Sequence, residues 1–151
     1  MPDIHPRSTA QIAEHPIHPM LVSFPIVCFF GALVCDIVYA NDPQPQWVNF
    51  ASWLLFAGLV MAALAAIAGV IDFIGDKRIR DLRASWVHGI GNAVAVVLAI
   101  INAFVHGGDG YTSVVPMGLT LSALVVLIML VTGWLGGSMV FRHGVAVKEQ
   151  N

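Results

Sequence analysis

Four long apolar segments joined by short polar connectors constrain this chain more than any other feature. They run over 17–39, 47–74, 85–105 and 115–141, each between 21 and 28 residues long. A helix rises 1.5 Å per residue, so about 20 apolar residues cross the hydrocarbon core of a bilayer. Inside that core every backbone N–H and C=O must be satisfied within the protein, which leaves helices and closed barrels. Barrel strands alternate apolar and polar positions, whereas these runs are unbroken. The sequence therefore predicts an all-α, integral membrane four-helix bundle. Connectors 41–46, 75–84 and 106–114 carry the Pro, Gly and Asp that end helices. Residues 1–16 precede the transmembrane domain of 17–141, and 142–151 form a tail.

Composition agrees. Soluble domains carry about 25% charged residues, and this chain has 11% with a net charge of −2. That balance gives no basic patch for nucleic acid. Cys28 and Cys35 fall seven residues apart in one apolar run. Helical rise separates them by roughly 10 Å along the axis, too far for a disulfide, so they read as packing residues. Signal-peptide apolar cores run about 7–15 residues; the first segment is longer and reads as a retained helix.

Orientation follows from the cations. Arg7, Lys77, Arg78, Arg80, Arg83, Arg142 and Lys148 all fall on one side of a four-helix topology. The positive-inside rule makes that side, with both termini, cytoplasmic. Tyr39, Trp47 and Tyr111 lie at the opposite boundary and Trp86 at the cytoplasmic one, as an aromatic belt would.

Helices in lipid associate through small residues and polar contacts, because lipid supplies no hydrophobic drive between them. Such stripes recur every three or four residues. The second helix has Gly58, Ala62, Ala65, Gly69 and Asp72. The third has His88, Asn92, Ala95, Ala99, Asn102 and His106, and the fourth has Ser122, Met129, Gly133, Gly136 and His143. Pro25 predicts a kink in the first helix. Gly133 and Gly137 form a GxxxG pair suited to a homodimer contact.

The stripes end in a pattern. His18, Asp72, His88 and His143 arrive at the cytoplasmic level, one from each helix, with His15 as a fifth candidate. This set suits a divalent metal ligated by histidine and aspartate. It also suits haem b held by His18, His88 and His143, with Gly69, Gly89, Gly91 and Gly136 giving room and Asp72 acting as ligand or orienter. Asp36, Asn92, Asn102 and His106 lie toward the other end and could line a polar, proton-conducting path. Structural roles stand beside these. His88 could only bond a neighbouring carbonyl, and Asp72 could only pair with Arg83 or Arg142. His5 reads as a solvated tail residue, and Met117, Met129 and Met139 read as core filler.

The opening His-Pro-Ile-His-Pro-Met-Leu-Val-Ser-Phe-Pro-Ile (15–26), Asp36, Gly69-Val-Ile-Asp72, His88 and Arg142-His-Gly-Val-Ala-Val147 resemble a bacterial membrane family. It is the one catalogued as domain of unknown function family 2231, and the resemblance covers nearly the whole chain. It implies a multi-pass protein of the bacterial inner membrane with no settled activity. Some relatives resemble fusions to Rieske iron–sulfur or cytochrome c modules, which implies membrane redox chemistry and a redox partner protein. No nucleophile triad, phosphate loop or CxxC motif is present, so no enzyme activity is assigned. The leading expectation is a redox-linked, cofactor-binding membrane protein with its site at the cytoplasmic end. The alternatives are a small proton-linked transporter or channel subunit and a purely structural membrane partner.

Overall fold

The computed structural model describes residues 6–108 and 112–147. His5, Tyr111 and Lys148 lie outside the described residues. A two-residue hairpin comes first, β1 (Gln11–Ile12) with β2 (His15–Pro16), followed by α1 (Ile17–Leu21) and α2 (Ser23–Asn41). Then come α3 (Pro45–Gly75), the short α4 (Lys77–Arg80) and α5 (Arg83–His106). A π-helical turn, Val114–Gly118, leads into α6 (Leu119–His143). Four spans are long and apolar enough to cross a membrane: Ile17–Asn41, Pro45–Gly75, Arg83–His106 and Val114–His143.

The kink expected from Pro25 falls one turn earlier, at Val22, between α1 and α2. Proline has no N–H for the carbonyl of Leu21, so the hydrogen-bond ladder is interrupted there. On the N-terminal side of the break, α1 packs on α3. In the bundle α2 packs on α3 and α6, and α5 also packs on α3 and α6. Short connectors force consecutive spans to run antiparallel as neighbours.

The packing is small inside and large outside. Ala32, Ala51, Gly58, Ala62, Ala65, Ala95 and Ala99 are buried. Trp53, Phe56, Ile67, Phe104, Trp134 and Phe141 face outward. In water an apolar surface of this extent would drive aggregation. In lipid it costs nothing, and close approach of the backbones becomes the source of cohesion. At Gly58 a Cβ would stand 2.6 Å from Phe29 Cε1, so only glycine fits that helix crossing.

The ends are tied by polar contacts. In the basic connector Asp76 caps α4 by accepting the Arg78 N–H at 2.8 Å. Arg80 donates to the carbonyls of Phe73 and Ile74, placing a cation on the negative end of α3. Trp86 Nε1–H donates to the Arg80 carbonyl at 3.0 Å, and its ring meets Phe73 edge-on. Gly144, at φ 63°, ends α6 in the left-handed conformation. The N–H of Ala146 then reaches the Pro6 carbonyl at 2.9 Å, joining the two terminal segments at one end of the bundle.

Candidate functional site

At the end that carries the termini, α1 and α5 bring His18 and His88 together. Their ring centroids are 6.1 Å apart and their planes cross at 79°. His18 Nδ1 lies 2.8 Å from the carbonyl oxygen of Ala65, on α3. His88 Nδ1 lies 2.8 Å from the carbonyl oxygen of Thr132, on α6. A carbonyl only accepts, so Nδ1 carries the hydrogen in both rings, and in a neutral ring the lone pair is then on Nε2. Neither Nε2 has a hydrogen-bond partner among the described residues.

Each ring lies over a glycine four residues beyond the carbonyl it bonds. A Cβ on Gly69 would meet His18 Nδ1 at 3.0 Å, and one on Gly136 would meet His88 Cε1 at 3.2 Å. One turn of helix thus supplies both the acceptor and the gap. Gly69 and Gly136 seat the two imidazole rings; Gly89 and Gly91 do not. Nothing lies within 4 Å of a Cβ on Gly89, and Gly91 makes room for Thr132 Cγ2. Thr132, absent from the sequence-derived site, serves twice: its carbonyl holds His88, and its hydroxyl donates to Asn92 Oδ1 at 3.1 Å. Its signal was its place one turn before Gly136, although the fourth stripe as read from the sequence took Gly133 instead.

The other expected members of this end lie elsewhere. Asp72 Oδ1 accepts from Ser8 Oγ at 2.9 Å and from the N–H groups of Thr9 and Ala10 at 2.7 Å each. It straps the N-terminal segment to α3 and pairs with neither Arg83 nor Arg142. One turn on, Asp76 Oδ2 accepts the Arg7 N–H at 3.0 Å. The Arg78 guanidinium hydrogen-bonds the Asp76 carboxylate and holds it well below the usual range, at about 2. His15 is exposed on β2, and His143 is exposed on the last turn of α6. Among the described residues no three His, Cys, Asp or Glu side chains are grouped to hold one metal ion.

A second polar centre lies in the opposite half. Asp36 of α2 and Asn102 and His106 of α5 are buried there with Ser122 of α6. His106 Nε2 is 2.8 Å from Asp36 Oδ1, and Ser122 Oγ–H donates to Asp36 Oδ2 at 2.6 Å. Asn102 Nδ2 donates to Ser122 Oγ at 2.8 Å, while Asn102 Oδ1 is buried without a partner among the described residues. His106 Nδ1 faces the Asn102 carbonyl at 3.0 Å, so this histidine also carries hydrogen on Nδ1. Its seat is again a glycine: a Cβ on Gly118 would stand 2.9 Å from His106 Cε1.

The path expected through Asn92 and Asn102 is divided. Asn92 donates to the His88 carbonyl at 2.8 Å, so it belongs to the first centre. Ten residues, about 15 Å of helix, separate it from Asn102, with Ala95 and Ala99 buried between. Outside the bundle an apolar groove of about 730 Å³ runs between α2 and α6. Gly133 and Gly137 line it with Phe30 and Trp134, and nothing lies within 4 Å of a Cβ on Gly133.

The family model described as predicted membrane protein, DUF2231, matches residues 14–149. The chain belongs to that family. The DUF2231 match takes in all four spans and every candidate residue from His15 to His143. It carries no assigned activity. No curated protein and no solved structure matches the chain.

Proposed function

We propose that this membrane protein binds haem b through His18 and His88 and serves redox chemistry at the end of the bundle that carries the termini. The observation behind this reading is the histidine pair itself. Each imidazole is fixed by Nδ1–H to a main-chain carbonyl, the usual support behind a metal-ligating histidine. Two imidazoles sharing one metal through bonds of about 2.0–2.1 Å would have centroids up to roughly 6 Å apart. The centroids here are 6.1 Å apart. Haem iron would need no more than these two imidazoles from the protein, whereas zinc sites take three or four protein ligands. That count favours haem over a divalent metal, which would have to recruit the exposed His15 or His143, or Asp72 away from its three donors. When bound, haem would supply one-electron chemistry; His18 and His88 would hold and orient it.

In this reading the protein sits in a bacterial inner membrane with both termini cytoplasmic, which the cation distribution supports. A redox partner protein would exchange electrons at that face. The outward Gly133 and Gly137 would form the contact of a homodimer.

Expression with ample haem precursor, followed by haem quantification, tests the reading. One haem per chain is expected in the wild type and in His143→Ala, with loss in His18→Ala and His88→Ala. A haem-free wild type, or haem retained when both His18 and His88 are replaced, would overturn it.

A further inference from the structure

The second polar centre has a proton inventory that its neighbours fix almost completely. His106 Nδ1 faces a carbonyl and must carry hydrogen. Ser122 has one hydroxyl hydrogen. Because Ser122 Oγ accepts from Asn102 Nδ2, that hydrogen is directed at Asp36 Oδ2. The line between Asp36 Oδ1 and His106 Nε2 is left, 2.8 Å long and fully buried at both ends. With no proton on it, a carboxylate oxygen would face a nitrogen lone pair, leaving one uncompensated negative charge. With two protons, carboxyl and imidazolium would crowd one hydrogen bond and leave a positive charge.

Among the described residues no other charged side chain pairs with either member of the dyad. On α2 the nearest titratable neighbour is Cys35, followed by Tyr39. The stretch of α3 from residue 45 to residue 71 contains no ionisable residue, nor does 114–141 of the fourth span. On α5 no ionisable residue lies between His88 and His106. An isolated charge inside a membrane bundle is expensive, and such charges pair with one another. The dyad is therefore stable with a single proton on the Oδ1···Nε2 line and no net charge.

We propose that Asp36 and His106 form a proton-binding site, holding one proton between Oδ1 and Nε2. Ser122 and Asn102 fix the carboxylate, and the partnerless Asn102 Oδ1 receives a water-sized donor beside the dyad. Asn102 Oδ1 is the second, independent sign of a ligand here. It is a buried acceptor on the same helix turn as His106, and buried polar groups are normally satisfied. This site is independent of the haem reading.

Wild-type protein in lipid bilayers, labelled with ¹⁵N-histidine and ¹³C-aspartate, tests it by magnetic resonance. The protons on His106 Nε2 and on the Asp36 carboxyl should add to one throughout the range where ordinary histidine titrates, about pH 5–8. His106 Nδ1 should carry hydrogen throughout. A sum of zero or two anywhere in that range, or a bare Nδ1, would overturn the proposal. In Asp36→Asn, His106 should be neutral with hydrogen on Nδ1 only; a persistent imidazolium would contradict the shared proton. The wild-type count needs no variant, so misfolding of Asp36→Asn leaves the test intact. Because the count uses no haem signal, its outcome is separate from haem binding.

Discussion

His106 Nε2 lies 2.8 Å from Asp36 Oδ1, joining α5 to α2 across seventy residues of sequence. Both side chains are fully buried, and among the described residues each is the other's ion-pair partner. Removing one member of a buried pair leaves the other unpaired and costs about 3–5 kcal/mol. Asp36→Ala and His106→Ala should each lower thermal stability strongly in detergent. The double variant should lose less than the sum of the two. Equal and additive small losses would show that the pair is not a coupled unit.

The glycine seats give a contrasting set. Gly118→Ala forces a Cβ to 2.9 Å from His106, and the rigid ring has little freedom to move. Overpacking of this kind costs about 1–3 kcal/mol. Gly89→Ala meets nothing within 4 Å and gains helix propensity, worth up to about 1 kcal/mol. Melting curves should therefore move in opposite directions for the two substitutions.

How much of this was legible in sequence depends on what each feature needs. The four spans required only long apolar runs. The buried stripe Gly58, Ala62 and Ala65 required only helical spacing, because lipid makes small residues the packing signal. His18 and His88 were legible as members of one level. Which glycines seat the two rings was not legible, because Gly69 and Gly89 differ only in helix rotation, which hydropathy does not fix. Asp72 was read toward arginines or histidines. Its partners are the Ser8 hydroxyl and the main-chain amides of residues 9 and 10, in a segment with no periodicity to announce its position. Ser122 stood on the fourth stripe, yet its bond to Asp36 depends on the register between the first and fourth spans.

The N-terminal strap should respond to acid. The folded pKa of Asp76, about 2, lies below its ordinary 3.8. Its contribution is therefore complete above about pH 4 and is lost as pH falls from about 4 through 2. Amide-exchange protection at Arg7, which donates its N–H to this carboxylate, should fall in that window. Asp76→Asn should remove the dependence. Asp72→Ala, which removes the acceptor for Ser8, Thr9 and Ala10, should make residues 6–10 susceptible to proteolysis at neutral pH.

Topology follows from the cations. Reporter fusions at the C-terminus and within 41–46 should report opposite sides, with the C-terminus cytoplasmic. The same side for both would contradict four spans.

The central claim is that His18 and His88 act together on one metal. Electron paramagnetic resonance of the oxidised, haem-loaded protein tests it most directly. The account predicts a six-coordinate, low-spin, bis-imidazole spectrum in the wild type. It predicts conversion to a high-spin species, or loss of haem, in both His18→Ala and His88→Ala, with His143→Ala unchanged. A high-spin wild type, or a low-spin spectrum that survives either of the first two substitutions, would contradict it.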